Sequence, residues 1–267
     1  MLRVGILGVG AIGRVIARAL DVREVDAELV ALSDQDRWRA EGLSRELSGR
    51  PPVVCVDEMI ERCDLAVEAA SQAALPEFVP NALARGRDVL IMSVGGLLGR
   101  EEWLQQAAAK GRRIYVPSGA IAGLDGIKSA SIGQITAAEL TSRKPVAALA
   151  GSKYVADRGL RLAEFTEETV IFDGTAEEAS RAFPATSNVA ASLRLAVDSE
   201  IPVRVRVVAV PGGNENVHEI HVCGEFGKLM MRVENVPSKS NPKTSQLAAY
   251  SAVATLKNLT RSLRVGT

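Results

Sequence analysis

Apolar residues fill Leu2–Leu7 almost without a break, three glycines follow within six positions (Gly8, Gly10, Gly13), and residues 14–20 repeat with helical spacing. That order is strand, tight turn, helix. The alternation continues down the chain. Short apolar runs at 28–32, 53–56, 65–69, 88–92 and 113–116 predict strands, the one at 53–56 introduced by Pro51-Pro52. Between them, 57–62 reads as a short helix capped by Asp57, 76–85 as a helix stopped by Gly86, and 101–110 as a helix closed by Gly111. The segment 35–49 is polar and charged and carries Trp38. Six strands separated by helical stretches predict an α/β fold with a Rossmann-like doubly wound parallel sheet.

From Ile127 the pattern changes. Residues 132–141 and 144–150 are ambiguous, 169–173 predicts a strand, and 176–182 and 188–196 predict short helices. Valine and arginine then alternate from Val203 to Val207, the period-2 mark of a half-exposed strand. Pro211-Gly212-Gly213-Asn214 turns the chain, 217–223 returns it, and 229–233 runs back. Such a meander predicts a second, α+β domain built on an open, largely antiparallel sheet with helices on one face. Residues 235–242 have linker chemistry, and Pro242 suits the first turn of a last helix. The expected division is a dinucleotide-binding domain over 1–120, a second domain over 121–240, and a last helix within 241–267. An open sheet leaves a face or edge that pairing about a two-fold axis would cover, so a homodimer is expected.

Composition narrows the partners. Thirty-two basic residues balance thirty-two acidic ones in 267, so no net field favours nucleic acid or an anionic membrane, and a small-molecule partner is expected. Cys55, Cys63 and Cys223 form no CxxC pair and no zinc-ligand spacing, so they read as core thiols, with no metal expected. With no signal-peptide pattern ahead of the first strand and no long apolar run, a soluble, cytoplasmic protein is expected.

The candidate chemistry begins in the glycine turn. Gly8 permits the turn, Gly10 lets backbone approach a pyrophosphate, Gly13 lets helix pack on strand, and Ala11 and Ile12 open the helix whose N-terminus would face the diphosphate. Asp34 ends the second strand, where an acid can hold the adenosine ribose hydroxyls. It favours NAD, while Arg37 and Arg39 just downstream leave NADP possible. Ligands of such sheets lie beyond the carboxyl ends of the strands, which brings in Ser71, Ser93 and the small-residue crossing 117–126. The chain has two histidines. Strand alternation puts His218 with Ile220 and Val222, and His221 with Glu219 on the solvent side.

Three sets of residues carry a more specific resemblance: Pro117-Ser118-Gly119-Ala120-Ile121, Asn216-Val217-His218-Glu219-Ile220, and Pro237-Ser238-Lys239-Ser240-Asn241-Pro242. With them the chain resembles the L-aspartate dehydrogenase family over nearly its whole length. The resemblance implies oxidation of the L-aspartate amine to iminoaspartate with NAD or NADP, the imine then hydrolysing to oxaloacetate and ammonia or feeding NAD biosynthesis. It places the active-site histidine on His218 and cofactor contacts on Ala122 and Asn188, and it implies that the second domain, 121–240, binds the substrate and builds a homodimer, with the C-terminal helix of 241–267 packed back on the dinucleotide-binding domain. A histidine titrating near neutrality serves both proton steps, as base for the amine and for the water that attacks the imine, so activity is expected to fall as pH drops through its pKa. The substrate carboxylates call for cations, and two groups qualify: Ser238, Lys239, Asn241, Lys243 and Thr244, or Arg143 and Lys144. Alternatives are another two-domain dehydrogenase, of an aspartate-derived semialdehyde or homoserine, and a non-catalytic NAD-binding sensor.

Overall fold

The apolar run at the start forms β1 (Leu2–Leu7), with Val4 and Ile6 fully buried because the strand is covered on both faces. The structure, a computed structural model, describes residues 1–184, 187–238 and 241–266, with backbone alone at 237–238 and 241–244. It divides into two units, one of Met1–Pro117 with Ala248–Val265, the other centred on Ser118–Leu247.

In the first unit β1 is followed by α1 (Ala11–Asp21), β2 (Ala27–Ser33), α2 (Arg37–Glu46), α3 (Val56–Arg62), β3 (Leu65–Glu68), α4 (Leu75–Ala84), β4 (Asp88–Ile91), α5 (Glu101–Ala109) and β5 (Ile114–Tyr115). The strands pair in parallel in the order β2-β1-β3-β4-β5. The strand order reverses between β1 and β3, β2 lying on one side and β3 to β5 on the other, which makes their carboxyl ends the expected ligand position.

Three local readings are corrected. The sheet has five strands, not six: Val53 makes only a single parallel bridge to Leu32, because Pro51 and Pro52 have no N–H to give a ladder and the chain enters α3 three residues later. Asp57 does not cap that helix. Cys55 occupies the cap position, and Asp57 instead accepts from Asn81 and Arg85 on α4. The polar segment after β2 is a helix, α2, capped by Asp36, whose carboxylate accepts the Arg39 N–H at 3.1 Å. Only Ala40 and Leu43 of α2 are buried, too thin an apolar stripe to announce a helix.

The second unit contains α6 (Leu124–Ala130), β6 (Ile135–Pro145), α7 (Val146–Leu149), α8 (Lys153–Asp157), β7 (Thr169–Thr175), α9 (Ala176–Ala182), α10 (Asn188–Ala196), β8 (Val203–Val210), β9 (Asn216–Gly224) and β10 (Gly227–Asn235). Its sheet runs β10-β9-β6-β8-β7, antiparallel except for the β6–β8 pair. The ambiguous stretch after Ile132 is thus the central strand. It was hard to read because β6 alternates buried Ala138 and Leu140 with half-buried Glu139 and Thr141, then places Ser142 and Lys144 on the buried face.

A short pair, β11 (Pro237–Ser238) with β12 (Asn241–Ser245), precedes the last helix, α11 (Gln246–Thr260). Pro242 therefore lies in β12 and not in the first turn of that helix. Within the first unit, Ala252, Val253 and Leu256 of α11 share one core with Ile16 and Leu20 of α1, and Lys257 pairs with Glu24 at 2.6 Å.

Candidate active site

The glycine turn is organised by what side chains would obstruct. Gly8 has φ +93°, and a Cβ there would lie 2.6 Å from the Ala69 backbone at the end of β3. A Cβ on Gly13 would run into the Gly8 carbonyl oxygen. Gly10 differs, because a Cβ on it would meet nothing within 4 Å. It stands at the cap of α1, which has no side-chain cap and no acidic residue in its first turn. The protein's own packing accounts for Gly8 and Gly13, whereas Gly10 keeps open a place beside uncapped helix N–H groups. Ala11 and Ile12 begin that first turn. This cradle fits a dinucleotide's diphosphate.

Asp34 adjoins the turn. Its carboxylate accepts the Val9 N–H at 2.7 Å and the Asp36 N–H at 2.9 Å, bracing the loop while keeping further lone pairs for ribose hydroxyls. Beyond it lies a cavity of about 520 Å³, lined by Ser33, Asp34, Arg37, Val54, Cys55 and Phe78 among others. Cys55 is exposed, so of the three expected core thiols Cys63 is the fully buried one, its thiol pushed up to about 11 by burial.

At the neighbouring strand ends, Ser71 is exposed and Ser93 is buried. The Ser93 hydroxyl donates to Glu68 at 2.8 Å, its N–H donates to the same carboxylate at 2.9 Å, and the Ala70 N–H adds a third bond at 2.7 Å. Glu68 therefore ties the ends of β3 and β4 together, and the Ser93 side chain is engaged within the protein. Burial pushes the Glu68 carboxyl upward while these donors oppose the shift. No periodicity pointed to Glu68, because an acid ending an apolar strand looks like the start of a loop.

In the second unit the buried face of the sheet is apolar through Leu140, Val205 and Ile220, and polar at one end. His218 on β9 lies opposite Ser142 on β6, and the Ser142 hydroxyl meets its Nδ1 at 2.9 Å. Lys144 follows two positions along, opposite Ala209 on β8. Asn216 lies opposite Asn235 of β10, whose amide N–H donates to the Ala120 carbonyl at 2.9 Å. All five polar side chains are buried. The Asn216 amide oxygen has no hydrogen-bond partner among the described residues.

The electrostatics of this cluster correct the near-neutral titration expected for the histidine. Burial first, and then the charge of Lys144, lower the His218 pKa to about 3, so the ring is neutral throughout the working range. Burial alone lowers Lys144 to about 8. Arg143, the neighbouring candidate cation, points to the other face, where it bonds Glu219 and Glu168. His221 is exposed on that same face. Ala122 is exposed in the crossing just before α6, and Asn188 is half-buried at the first position of α10. Lys239 lies outside the described residues, as do the side chains of Ser238, Asn241, Lys243 and Thr244; their backbones form β11 and β12.

A family model described as aspartate dehydrogenase, C-terminal, matches residues 125–259, the half that carries β6 and β9. The chain belongs to the aspartate dehydrogenase family. Residues 8–117 match the NAD-binding domain model named for homoserine dehydrogenase. The chain is 46% identical to an L-aspartate dehydrogenase of Methanosarcina mazei and 45% identical to that of Methanosarcina barkeri, in each case over the whole of both chains. The crystal structure of aspartate dehydrogenase from Thermotoga maritima superposes with a TM-score of 0.75 at 26% identity, covering both chains completely. The Rossmann-like sheet and the pyridine-nucleotide class of cofactor follow for this family member, and the second, largely antiparallel sheet is as the alternation pattern predicts. Among the described residues no helix is long and apolar enough to cross a membrane.

Proposed function

We propose that the protein oxidises the amine of L-aspartate to iminoaspartate with a pyridine nucleotide, releasing oxaloacetate and ammonia on hydrolysis, in the cytoplasm. The observation that carries this reading is the His218–Ser142 pair with Lys144 beside it, at the polar end of an otherwise apolar sheet face in a family member. The cofactor, when bound, accepts the hydride from the substrate Cα.

The chain's own groups supply the rest. Gly10 and the first turn of α1 receive the diphosphate, and Asp34 receives the ribose. Ser142 fixes the ring of His218 through Nδ1, which leaves Nε2 as the atom to meet the amine and, later, the attacking water. The ring starts as a weak base, because burial and Lys144 both oppose its protonation. A carboxylate that neutralises Lys144 removes the second of these causes and raises the basicity of His218 when substrate is present.

Asp34 beside the turn supports preference for NAD. Arg37 bonds Glu41 at 2.8 Å and is largely exposed, close enough in sequence to serve a 2′-phosphate, which supports some use of NADP. Comparing kcat/KM for the two cofactors tests this, and a strong NADP preference would count against Asp34. A homodimer is part of the reading, supported by the open sheet of the second unit, whose edge strands β10 and β7 pairing about a two-fold axis would cover. Sedimentation showing an active monomer at micromolar concentration would remove it.

The activity is tested by NADH formation on a panel of L-aspartate, homoserine and aspartate semialdehyde. Turnover with L-aspartate alone supports the proposal, and turnover confined to another member overturns it. A role in NAD biosynthesis would follow if iminoaspartate is consumed by a further enzyme faster than it hydrolyses.

A further inference from the structure

Lys144 is the charged group of the cluster, and no counter-ion for it is found among the described residues. Its side chain is 5% exposed, and its pKa is lowered by burial with no opposing carboxylate. No ion pair or hydrogen bond to its ammonium is found among the described residues. A buried ammonium without a counter-ion is costly, and proteins that retain one place it against an anion or use it in chemistry. The surroundings distinguish these. Across β8 it faces Ala209, along β6 it shares a face with Ser142, and α7, packed on β6 and β8, brings Val146, Ala147, Ala148 and Leu149. From β9 come His218, which is neutral, and Asn216, whose amide oxygen also lacks a partner. The acids Glu139 and Glu219 project from the opposite face, tied to arginines. A carboxylate brought in by a ligand is the missing element.

We propose that Lys144 anchors a carboxylate of the substrate, so that the second unit selects dicarboxylic amino acids through this buried cation. The inference rests on the aspartate dehydrogenase reading for the identity of the substrate, not for the presence of an anion site. Charge neutralisation on binding links recognition to chemistry, because the His218 ring beside Lys144 becomes a better base only when the carboxylate is in place.

Succinate, an unreactive dicarboxylate, is the probe. Its affinity is measured by calorimetry on the full chain with saturating NAD, at pH 7 and pH 9, for wild type, Lys144→Met and Lys144→Arg. The charged form of Lys144 binds, so affinity should weaken about tenfold between these pH values as the ammonium with pKa about 8 loses its proton. Lys144→Arg should bind succinate with little change over that range, since guanidinium stays charged. Lys144→Met should lose roughly 30-fold or more at pH 7. Its melting temperature should be equal to or above that of wild type, which separates lost binding from misfolding. Succinate affinity that rises with pH, or that survives in Lys144→Met, overturns the anchor and leaves Lys144 as a neutral proton acceptor or a packing residue. Wild-type turnover on L-aspartate is scored separately. If it is absent while Lys144→Met loses succinate, the activity reading fails and the anion site stands; if it is present while Lys144→Met keeps succinate, the anchor alone fails.

Discussion

The two units prepare for their ligands by opposite means. The first leaves atoms out: Gly10 keeps a space that no described residue fills, beside helix N–H groups with no side-chain cap. The second leaves polar atoms in, burying Lys144 and the Asn216 amide oxygen with no partner among the described residues, on a sheet face that also buries Leu140, Val205 and Ile220. The first arrangement costs little stability, since an empty space at a surface turn is filled by water. The second is expensive before the ligand arrives, and that expense is a sign of function.

The largest expected effect lies in the second unit. His218→Ala should lower kcat by ~100-fold to 10,000-fold, the usual range for a residue assisting proton transfer. NADH affinity, measured by fluorescence titration, should stay near wild type because Gly8, Gly10, Gly13 and Asp34 are untouched. Ser142→Ala should give a smaller loss, by freeing the ring from its fixed orientation. Because kcat/KM reports the free enzyme, and free His218 sits at about 3, no limb near pH 6.5 should appear in that profile. If His218→Ala keeps most of its turnover, the two units would no longer divide binding from proton chemistry.

Stability tests the expense directly. Lys144 falls from 10.5 to about 8 on folding, so between these values the unfolded chain holds a proton that the native one does not, and stability rises with pH across that window. Below pH 8 the native state carries the whole penalty, about 3 kcal/mol at ~1.4 kcal/mol per pH unit. Lys144→Met should therefore raise the stability of the ligand-free protein at pH 7 by up to about that amount, read by urea denaturation. His218 acts at the other end. Its depressed pKa gives stability that is full above 6.5 and is lost as pH falls toward 3. A Lys144→Met variant less stable than wild type would show that the ammonium is already satisfied.

How much of this could be read in the sequence follows the same division. The dinucleotide loop was legible because its information is local: three glycines in six residues between a strand and a helix. The sheet of the second unit was legible where alternation is strict, as in Val203 to Val207. The cluster around His218 was not, because Ser142 and His218 are 76 residues apart and meet only through the register of β6 on β9. β6 itself was ambiguous, and without it Lys144 could not be chosen over Arg143, which points away from the cluster. The shift of His218 to about 3 was also out of reach, since burial and a neighbouring charge are properties of packing. Even the expected strand at 53–56 failed for a local reason that a stricter reading supplies, two prolines at its start.

Within the first unit, the glycines sharpen the contrast between space used by the protein and space kept for a ligand. Gly13→Ala forces a Cβ against the Gly8 carbonyl and should destabilise the fold by about 1–3 kcal/mol, as overpacking does, with loss of cofactor binding. Gly10→Ala should leave the melting temperature unchanged, since nothing lies within 4 Å, yet weaken NADH at least severalfold. Equal effects of the two on melting would mean that Gly10 too is required by packing.

The smallest effect concerns Arg37, where the first unit departs from its own rule and offers a side chain. Asp34 is committed to the Val9 and Asp36 N–H groups, so it holds its place whichever cofactor binds and presents negative charge to a 2′-phosphate. Arg37 must leave Glu41 to offset that charge, and as an exposed i,i+4 pair the contact it gives up is worth only about 0.3–0.5 kcal/mol. The gain from an exposed phosphate contact is similarly small and falls with salt. Arg37→Ala should therefore cut kcat/KM for NADP about threefold to tenfold at low ionic strength, consistent with ~1 kcal/mol for a solvent-exposed charge pair. Its value for NAD should barely move, because the ribose hydroxyls are served by Asp34. Raising the salt should shrink the difference between wild type and variant with NADP. If Arg37→Ala lowers both cofactors alike, the residue supports the loop and not the phosphate, and tolerance of NADP must come from Arg39 or from the backbone.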